Sequence, residues 1–389
     1  MVKTVLSAAL MIAGLGGGLR AAGRWTVELV DTSGPGKYSS MKIDSRGNVH
    51  VAYVIDDGNR YPLKYAFWDH QLGRWFIMPV AEGSGPCSLA LDSQQRPHIA
   101  YNDAGTGSGA KLRHAYWNGK EWVKEAIPLN SDIVSYYDSI VLDSQDRPSI
   151  SFYEYRGPRD TEFKIRMRVV SWNGKFWEVR TVDPEEGSGK FNSLAVDAKG
   201  HLHLAYANVS AVTAGLRYGF WDGQSWKTQV VDGPEKNGGD SVGYSVRLAL
   251  DRDGNPHIAY MNESTPTLKY AVRKNGTWSI EAVDRLGAVG YPDRDGITLN
   301  EQGEPYISYF DAGRGLLKLA HRENHRWMGE VIDGNGAGSN SSVQIGGGSI
   351  WISYADGSAG ALKVAHRQLT EEPEASQISA GNPVRRATP

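Results

Sequence analysis

The sequence predicts an all-β fold: a seven-bladed β-propeller of four-stranded blades, closed into a ring when the N-terminal strand joins the last blade. Three observations support this prediction. A unit of about fifty residues recurs along the chain, each complete unit holds four short strand patterns, and the last unit lacks the fourth pattern. Four strands at this repeat length are typical of a propeller blade. The four strands of a blade are called a to d below.

The composition is that of a folded protein with a sizeable core. The chain has 389 residues, of which 40% are hydrophobic and 22% are charged, and its formal net charge is −2. This balance gives no indication of nucleic acid or of a membrane surface as a partner. The single cysteine, Cys87, excludes an intrachain disulfide framework. The core alone must therefore stabilise the fold.

Strand a is predicted from alternating large and small residues, as in "SLALD" at 88–92, "SLAVD" at 193–197 and "RLALD" at 247–251. A blade packs between two neighbours, so both faces of its sheet are buried. The a–b turn follows, and "DSRGN" at 44–48 places Gly where a hairpin turn needs positive φ. The related turn "DRDGN" at 251–255 could suggest calcium. We favour a plain turn, because "DSQQR" at 92–96 lacks the carboxylates.

Strand b reads "VHVAY" at 49–53, "PHIAY" at 97–101 and 256–260, and "LHLAY" at 202–206. It carries a histidine at the same position in four units: His50, His98, His203 and His257. These histidines lie on different blades, tens of residues apart. We therefore interpret them as packing residues repeated by blade, rather than as a metal-binding or catalytic set.

Strand b ends in an acid or amide, and strand c opens with a base. The acids and amides are Asp56, Asp103, Glu154, Asn208, Asn262, Asp311 and Asp356; the bases are Lys64, Arg113, Arg168, Arg217, Lys269, Lys318 and Lys363. Two interpretations are open. Each base pairs across the hairpin with the acid of its own blade, or the bases together form a cationic rim for an anionic glycan. We favour the pairing, because each base has its own partner.

Strand d follows a "WNG"-type turn and reads "WxxExVD". Its opening tryptophans lie 47 to 55 residues apart, at Trp25, Trp75, Trp122, Trp177, Trp226, Trp278 and Trp327. The copy at Trp25, within "GRWTVELVDTSG" at 23–34, precedes the first unit, whereas the seventh unit at 342–367 has no copy. Pairing this N-terminal strand with the seventh unit completes the last blade and closes the ring.

The two ends of the chain differ from the repeats. Residues 1–23 have a basic residue, a short apolar run and small residues at Ala21 to Gly23, which is the pattern of a secretory signal peptide. We therefore expect the propeller to span 24–368 and the protein to be secreted or periplasmic. Residues 369–389 are polar, contain three prolines and show no strand pattern, so we expect a disordered tail.

The repeats resemble the BNR/sialidase-like β-propeller superfamily, and more closely a group of uncharacterised bacterial secreted propeller proteins with "SLALDxxGNPHIxYxD" and "LKYAxWNGxxW" segments. The sialidase Asp-box reads Ser-x-Asp-x-Gly-x-x-Trp. Here Gly119 and Trp122 keep its glycine and tryptophan, and Asn118 stands one place later than the acid. The pairs Gly174–Trp177 and Gly223–Trp226 repeat this, with Asn173 and Asp222. The resemblance implies a propeller fold; the Asp-box itself is a structural turn and implies no catalysis.

The candidate site comes from a departure from the repeat. The first position of strand a is Ser in five units (Ser40, Ser88, Ser139, Ser193 and Ser342) and Gly296 in the sixth, but Arg247 in the fifth. We expect Arg247 to project near the mouth of the central channel. Aromatic faces, planar donors and carboxylates suit sugar rings and hydroxyls. The predicted ligand-binding residues are Arg247, Arg294, Asp295, Tyr137, Asp138, Tyr38, Asn192 and Tyr244. The alternative is that the arginines pair with Asp295 or Asp138 and plug the channel.

Three functions remain open. We favour a secreted non-catalytic module that binds a glycan, or an extracellular protein, through the loops at the channel mouth. The second is a glycan-cleaving enzyme, a glycoside hydrolase of the sialidase type or a polysaccharide lyase; Tyr137 or Tyr244 with Arg247 fit a lyase by residue type only. The third is a scaffold with protein partners alone. The sequence has no nucleophile elbow, phosphate loop or zinc motif. We expect a monomer without cofactor, metal, nucleic acid partner or membrane span.

Overall fold

The computed structural model describes residues 23–56, 61–83, 85–103, 111–129, 133–156, 165–185, 187–209, 215–233, 241–289 and 295–369, without the side chains of 133–137, 155–156 and 165. The predicted signal peptide and tail lie outside these residues, apart from Gly23 and Leu369. Leu369 donates its backbone N–H to the Gly348 carbonyl at 2.8 Å.

The described chain forms seven four-stranded antiparallel sheets, which confirms the predicted seven-bladed propeller. Within each sheet the strands lie in the order a, b, c, d. In the described part of the chain no helix has the length and apolarity needed to cross a membrane.

The first four blades take their strands from consecutive segments. Blade 1 consists of β2 (Gly36–Ile43), β3 (Val49–Ile55), β4 (Pro62–Asp69) and β5 (Arg74–Glu82). Blade 2 consists of β6 (Cys87–Leu91), β7 (Pro97–Asn102), β8 (Leu112–Trp117) and β9 (Trp122–Ala126). Blade 3 consists of β10 (Ile133–Leu142), β11 (Pro148–Arg156), β12 (Ile165–Trp172) and β13 (Trp177–Asp183). Blade 4 consists of β14 (Ser188–Val196), β15 (Leu202–Asn208), β16 (Gly215–Trp221) and β17 (Trp226–Asp232).

The last three blades include the ring closure. Blade 5 consists of β18 (Val242–Leu250), β19 (Pro256–Asn262), β20 (Thr267–Lys274) and β21 (Thr277–Arg285). Blade 6 consists of β22 (Gly296–Leu299), β23 (Pro305–Asp311), β24 (Leu316–Glu323) and β25 (Arg326–Asp333). Blade 7 consists of β26 (Ala337–Gly346), β27 (Ser349–Asp356), β28 (Ala361–Gln368) and, as its strand d, β1 (Thr26–Asp31).

The ring is closed by the N-terminal strand, as the sequence predicts. β1 pairs with β28 in antiparallel register, from Thr26 opposite His366 to Asp31 opposite Leu362. The strand that begins the propeller therefore completes the blade that ends it. This pairing gives blade 7 its fourth strand and covers the edge of β28 that would otherwise be exposed.

The core consists of seven hydrophobic clusters, and each lies between two adjacent blades. At the interface of blades 4 and 5, Tyr218 packs with Val246 and Ile258. At the closing interface, Leu362 of blade 7 packs with Val49 and Val51 of blade 1. The other clusters fill the remaining interfaces. This explains why strand a alternates large and small residues without a solvent-facing side.

A buried aspartate at the end of strand d links most blades to the next one. Asp232 of blade 4 accepts a hydrogen bond from the Tyr260 hydroxyl of blade 5 at 2.7 Å, and it also pairs with Lys269. The same contact joins Asp31 to Tyr53, Asp183 to Tyr206, Asp284 to Tyr309 and Asp333 to Tyr354. We call this the inter-blade aspartate contact. It includes Asp31 of β1, so it also stabilises the ring closure.

The opening tryptophan of strand d makes a second link, nearer the outside. The indole N–H of Trp327 donates to Glu281 of the preceding blade at 2.9 Å, and Trp75 donates to Glu28 at 2.9 Å. In two blades Met78 or Arg180 replaces this accepting glutamate. The indole N–H groups of Trp122 and Trp226 in the following blades are then buried with no hydrogen-bond partner among the described residues. The glutamate of "WxxExVD" is therefore an inter-blade acceptor.

Candidate functional site

The central channel is lined by strand a of all seven blades, and it contains a cavity of about 130 Å³. Its wall includes the first position of strand a in every blade: Ser40, Ser88, Ser139, Ser193, Arg247, Gly296 and Ser342. Because side chains alternate along a strand, the side chain at this position faces the neighbouring strand a in every blade. A blade with a different residue here therefore changes the wall of the channel.

The five serines form a ring of hydrogen bonds between blades. Each hydroxyl accepts the backbone N–H of the next blade's strand a: Leu89 N–H bonds to Ser40 at 3.0 Å, and Met41 N–H bonds to Ser342 at 3.2 Å across the closure. Ser88, Ser139 and Ser193 accept from Ile140, Leu194 and Leu248, each at 3.1 Å. These serines are therefore structural, and the sequence analysis assigned them no such role.

Two blades interrupt this serine ring. At Gly296 an added Cβ would lie 2.6 Å from both Ser308 Oγ and Val343 N, so the backbone packing there admits only glycine. Arg247 is half-buried and lines the cavity, as the sequence predicts. Its Nη1 donates to the Val246 carbonyl at 2.7 Å. Arg247 thus brings a guanidinium to the channel at a position where most blades have a small hydroxyl.

The residue before this position is buried in every blade: Ser39, Cys87, Asp138, Asn192, Val246, Asp295 and Ser341 are all below 5% exposed. A repeated bulge causes this. In four blades the residue directly before this buried residue has positive φ, and the register with strand b shifts there. These residues are Tyr38 (55°), Phe191 (51°), Ser245 (54°) and Asn340 (56°). Such a bulge re-aims the side chains that follow it.

The bulge determines where three of the predicted ligand-binding residues lie. Asp138, Asn192 and Asp295 are 1%, 2% and 2% exposed, and all three line the channel cavity. Asp138 accepts a hydrogen bond from the Asn102 side-chain amide of the preceding blade. Asn192 accepts one from Ser151 Oγ at 2.6 Å. These polar groups face the inside of the channel wall, between blades.

A sequence signal accompanies these buried contacts. Strand b reads "IS" in place of "IA" at Ser151, Ser308 and Ser353. Each of these serines bonds to the buried residue of the following blade: Ser308 to Ser341 at 2.8 Å, and Ser353 to Ser39 at 2.9 Å. Serine in strand b could thus have identified the buried positions of Asn192, Ser341 and Ser39, but not those of Asp138 and Asp295, whose preceding blades have Ala100 and Ala259.

The remaining predicted site residues divide into two groups. Tyr38 and Tyr244 are half-buried, and the Tyr244 ring packs on Phe191 with 5.3 Å between centroids. Arg294 and the side chain of Tyr137 lie outside the described residues. The structure therefore brings Arg247, Asp138, Asn192 and Asp295 together around one cavity and leaves their role in binding untested.

Two channel residues were not singled out from the sequence. Lys42 and Gln344 line the cavity two positions after the serines of blades 1 and 7. The equivalent residues in the other blades are Ala90, Val141, Ala195, Ala249 and Thr298. The segment "SMKID", compared with "SLALD", is the signal that could have found Lys42.

The bases of strand c are paired, but not always as predicted. Pairing within the blade is correct for Arg113 with Asp103 (2.7 Å), Arg168 with Glu154 (2.7 Å) and Lys363 with Asp356 (2.6 Å). It is wrong for Lys64, Arg217, Lys269 and Lys318, which instead pair with Asp31, Asp183, Asp232 and Asp284 of the preceding blade. In blades 4 and 5 strand b offers an uncharged amide, Asn208 or Asn262, whereas the strand-d aspartate carries a charge. In blades 1 and 6 the strand-b acids Asp56 and Asp311 pair with Lys37 and Arg314 instead.

The repeated histidines make local contacts. The Nδ1 atoms of His50, His203 and His257 lie 2.6, 2.7 and 2.5 Å from tyrosine hydroxyls of strand c, and His98 Nδ1 lies 3.0 Å from His114 Nε2. Their Nε2 atoms lie 3.5 to 3.7 Å from the aspartate of the a–b turn. Burial lowers the pKa of all four, which keeps the imidazoles neutral near pH 7.

The a–b turns use their aspartates internally. Asp251 of "DRDGN" accepts the backbone N–H groups of Asp253 and Asn255 and the Asn255 amide, at 2.8 to 3.0 Å. Among the residues that the structure describes, no group of three or more His, Cys, Asp or Glu is arranged to hold a metal ion. The geometry of these turns is that of an Asx turn.

Comparison with known proteins supports the fold. No protein-family model matches the sequence, and no curated protein matches it. Among solved structures, the polysaccharide lyase Uly1 matches with a TM-score of 0.57 at 10% identity, covering 85% of this chain and 90% of the lyase. A PL25 ulvan lyase bound to a saccharide of GlcA and Rha3S matches at 0.56 and 12%, covering 86% and 94%. AofleA from Arthrobotrys oligospora matches at 0.52 and 17%, covering 79% and 90%.

At these identities the comparisons establish the fold alone. Together with the seven observed blades, they confirm the seven-bladed β-propeller fold that the repeats predict.

Proposed function

We propose that this sialidase-like β-propeller is an exported, monomeric module that binds a glycan at the mouth of its central channel. Arg247 carries the proposal. It is the residue that replaces a ring serine with a half-buried guanidinium, next to the buried polar side chains of Asp138, Asn192 and Asp295. It lies on strand a, which follows the d–a connection in the chain, and loops on a rigid scaffold are where binding residues concentrate.

The chemistry of this channel end suits a saccharide. A guanidinium presents planar donors that match hydroxyl pairs and carboxylates. The half-buried rings of Tyr38 and Tyr244 supply apolar surface in the same strands. Two of the structurally similar proteins are polysaccharide lyases, one of them with a bound saccharide. This favours a glycan over an extracellular protein as the ligand.

Glycan cleavage is the second candidate. The similarity to two polysaccharide lyases favours it. A lyase needs a base for the proton next to the uronate carboxylate and a cation for that carboxylate. Tyr244 and Arg247 lie on the same strand, β18, and match these residue types. In this case the protein would cleave the bound glycan, and the shortened product would leave the site.

The pattern of residues 1–23 supports export, so we place the protein in the periplasm or outside the cell.

A glycan microarray tests the proposal. The chain from Arg24 onward is applied as wild type, as Arg247→Ala and as Arg326→Ala, an exposed arginine at the opposite, c–d turn end of a blade. We expect wild type and Arg326→Ala to be retained on the same glycans and Arg247→Ala to lose at least tenfold in retention. Each printed glycan is also scored for loss of material.

The outcomes separate the functions. Retention without loss of glycan supports a binding module, whereas loss of a specific glycan identifies a lyase or hydrolase. Retention that Arg247→Ala does not change would place the site elsewhere. If Arg247→Ala lowers only the melting temperature, the arginine is a channel plug. If no glycan is retained or lost, protein partners become the remaining ligand class.

A further inference from the structure

Lys42 brings a positive charge into the half of the channel that lies beyond the serine ring. It stands on β2, two residues after Ser40, and lines the cavity together with Gln344 of the adjacent blade. At the equivalent position every other blade has an uncharged residue. Lys42 stands on the a–b turn side of the serine ring, whereas Arg247 stands in the ring itself, and both line the same cavity.

The ammonium group of Lys42 has no counter-charge in contact. Among the described residues, no hydrogen bond or ion pair joins Lys42 to another side chain, and no carboxylate lies within 4.0 Å of its Nζ. Burial alone lowers the pKa of Lys42, with no neighbouring charge adding to or opposing this effect. Lys42 is half-buried, and an ammonium that is partly withdrawn from water without a counter-ion is unfavourable. The channel must therefore supply one or leave the lysine neutral.

The other charged groups of the cavity stand earlier along strand a than Lys42 does. Asp138, Asp295 and Arg247 stand at or before the first position of strand a, whereas Lys42 stands two positions after it. Three residues along a strand correspond to about 10 Å. Asp138 is further engaged by the Asn102 amide. The aspartates therefore provide no direct partner for Lys42.

We propose that Lys42 binds a small inorganic anion of the chloride or nitrate class inside the channel, with Gln344 and the hydroxyls of Ser40 and Ser342 as further donors. Lysine supplies up to three N–H donors, and the glutamine amide and the hydroxyls can each donate. The cavity of about 130 Å³ holds several times the roughly 30 Å³ of one water molecule, but it is smaller than the roughly 300 Å³ at which pockets for organic ligands begin. An inorganic ion with accompanying water fits it.

Such an anion would act on the propeller itself. It would neutralise Lys42 at the point where blade 7, completed by β1, meets blade 1, and so it would favour the closed ring. The test below measures melting temperature and bromide density instead of glycan retention, so failure of this inference and failure of the proposed glycan binding are distinguishable.

The test is the response of the melting temperature to chloride at constant ionic strength. Sodium chloride replaces sodium gluconate, whose anion is too large for the cavity, in wild type, Lys42→Met and Lys120→Met. Lys120 is an exposed lysine on a c–d turn and serves as the matched control. A ligand of the folded state raises the melting temperature as its concentration passes its dissociation constant. We expect a saturable rise of roughly 2 °C in wild type and Lys120→Met, and none in Lys42→Met.

A crystal soaked in sodium bromide provides a second measurement that does not depend on the variant. We expect an anomalous bromide peak against Lys42 Nζ in the channel. Equal chloride responses of wild type and Lys42→Met, or no bromide in the channel, would overturn the proposal and indicate a neutral lysine. If Lys42→Met does not fold, Gln344→Leu and the bromide crystal decide.

Discussion

At the residue scale, the aspartate at the end of strand d is paired with a tyrosine of the next blade. Five blades are preceded by such an aspartate, and all five have a tyrosine that bonds to it. Blade 3 is preceded by Pro128 in place of the aspartate, and it has Phe152 in place of the tyrosine. A buried hydroxyl without an acceptor is unfavourable, which agrees with Phe152 in blade 3. Blade 2, which is preceded by Ala81, nevertheless keeps the tyrosine at Tyr101.

This relation predicts the effect of removing one hydroxyl. Tyr260→Phe leaves the buried Asp232 without one of its donors, and we expect the free energy of unfolding to fall by about 1–3 kcal/mol. Tyr101→Phe is the matched control, because Ala81 stands where the aspartate would be and the Tyr101 hydroxyl has no hydrogen bond within the described residues. We expect a change below about 0.5 kcal/mol there. Urea unfolding followed by tryptophan fluorescence measures both; equal losses would refute the role of Asp232.

The same contact shows what the sequence could not determine. The pairs of strand-c bases with strand-b acids are correct where the preceding blade lacks the aspartate, for Arg113 and Arg168, and in blade 7 for Lys363. Elsewhere the base bonds to the preceding blade, and Lys363 does so in addition, to Asp333 at 3.0 Å. Residue types within one repeat predict a hairpin pair well. The competing acid belongs to another repeat. Its distance from the base depends on how closely two blades pack, and the sequence of one repeat does not specify that packing.

At the element scale, strand b carries a row of neutral imidazoles that makes the fold sensitive to acid. Burial lowers the pKa of His50, His203 and His257, and burial with the neighbouring His114 lowers the pKa of His98 to about 4. In the unfolded chain these groups titrate near 6.5. Below about pH 6.5 the unfolded chain binds protons that the folded protein excludes, so stability falls as the pH decreases from about 6.5 to about 4.

We therefore predict a steep loss of stability over this pH range. His98 alone contributes on the order of 3 kcal/mol, from a lowering of its pKa to about 4. Its ring faces His114 at 3.0 Å and Asp92 at 3.7 Å, with Arg96 and Asp146 nearby. Melting temperatures between pH 4 and pH 7 should decline less steeply in His98→Gln than in wild type. His325→Gln, at an exposed position on a c–d turn, should keep the wild-type slope. If His98→Gln shows the wild-type slope as well, the imidazole is not the acid-sensitive group.

At the scale of the whole molecule, the fold and the site differ in how far sequence determines them. The blade number, the strand order and the ring closure follow from a repeat that occurs seven times, so an error in one copy is corrected by the others. Arg247 also reaches the channel as predicted, because its position is defined by that repeat. The buried placement of Asp138 and Asp295 depends on the packing of two blades, and the repeat pattern contains no sign of it; for Asn192 the only sign is Ser151 in the preceding strand b.

The ring closure gives a prediction for the molecule as a whole. β1 contributes pairing with β28, the Asp31–Tyr53 contact and the Glu28 acceptor of Trp75, and the last two join blade 7 to blade 1. Deletion of residues 24–34 removes all three contacts and exposes the edge of β28. We expect the melting temperature to fall by more than 10 °C, since losses of several kcal/mol are concentrated at one interface. Deletion of 370–389 is the control and should leave the melting temperature unchanged.

A permuted chain separates the contacts of β1 from its place in the sequence. Residues 23–34 are moved behind Gln368 through a short Gly-Ser linker, so that the chain begins at Pro35 and blade 7 is built from one continuous segment. β1 and β28 are antiparallel neighbours, with Thr26 opposite His366, so a short turn can join them as in the other six blades. Because the same contacts form, we expect the permuted protein to regain a melting temperature within a few degrees of wild type. A permuted protein as unstable as the deletion would mean that the ring needs the closure to join the two ends of the chain, and not only to fill the last strand position.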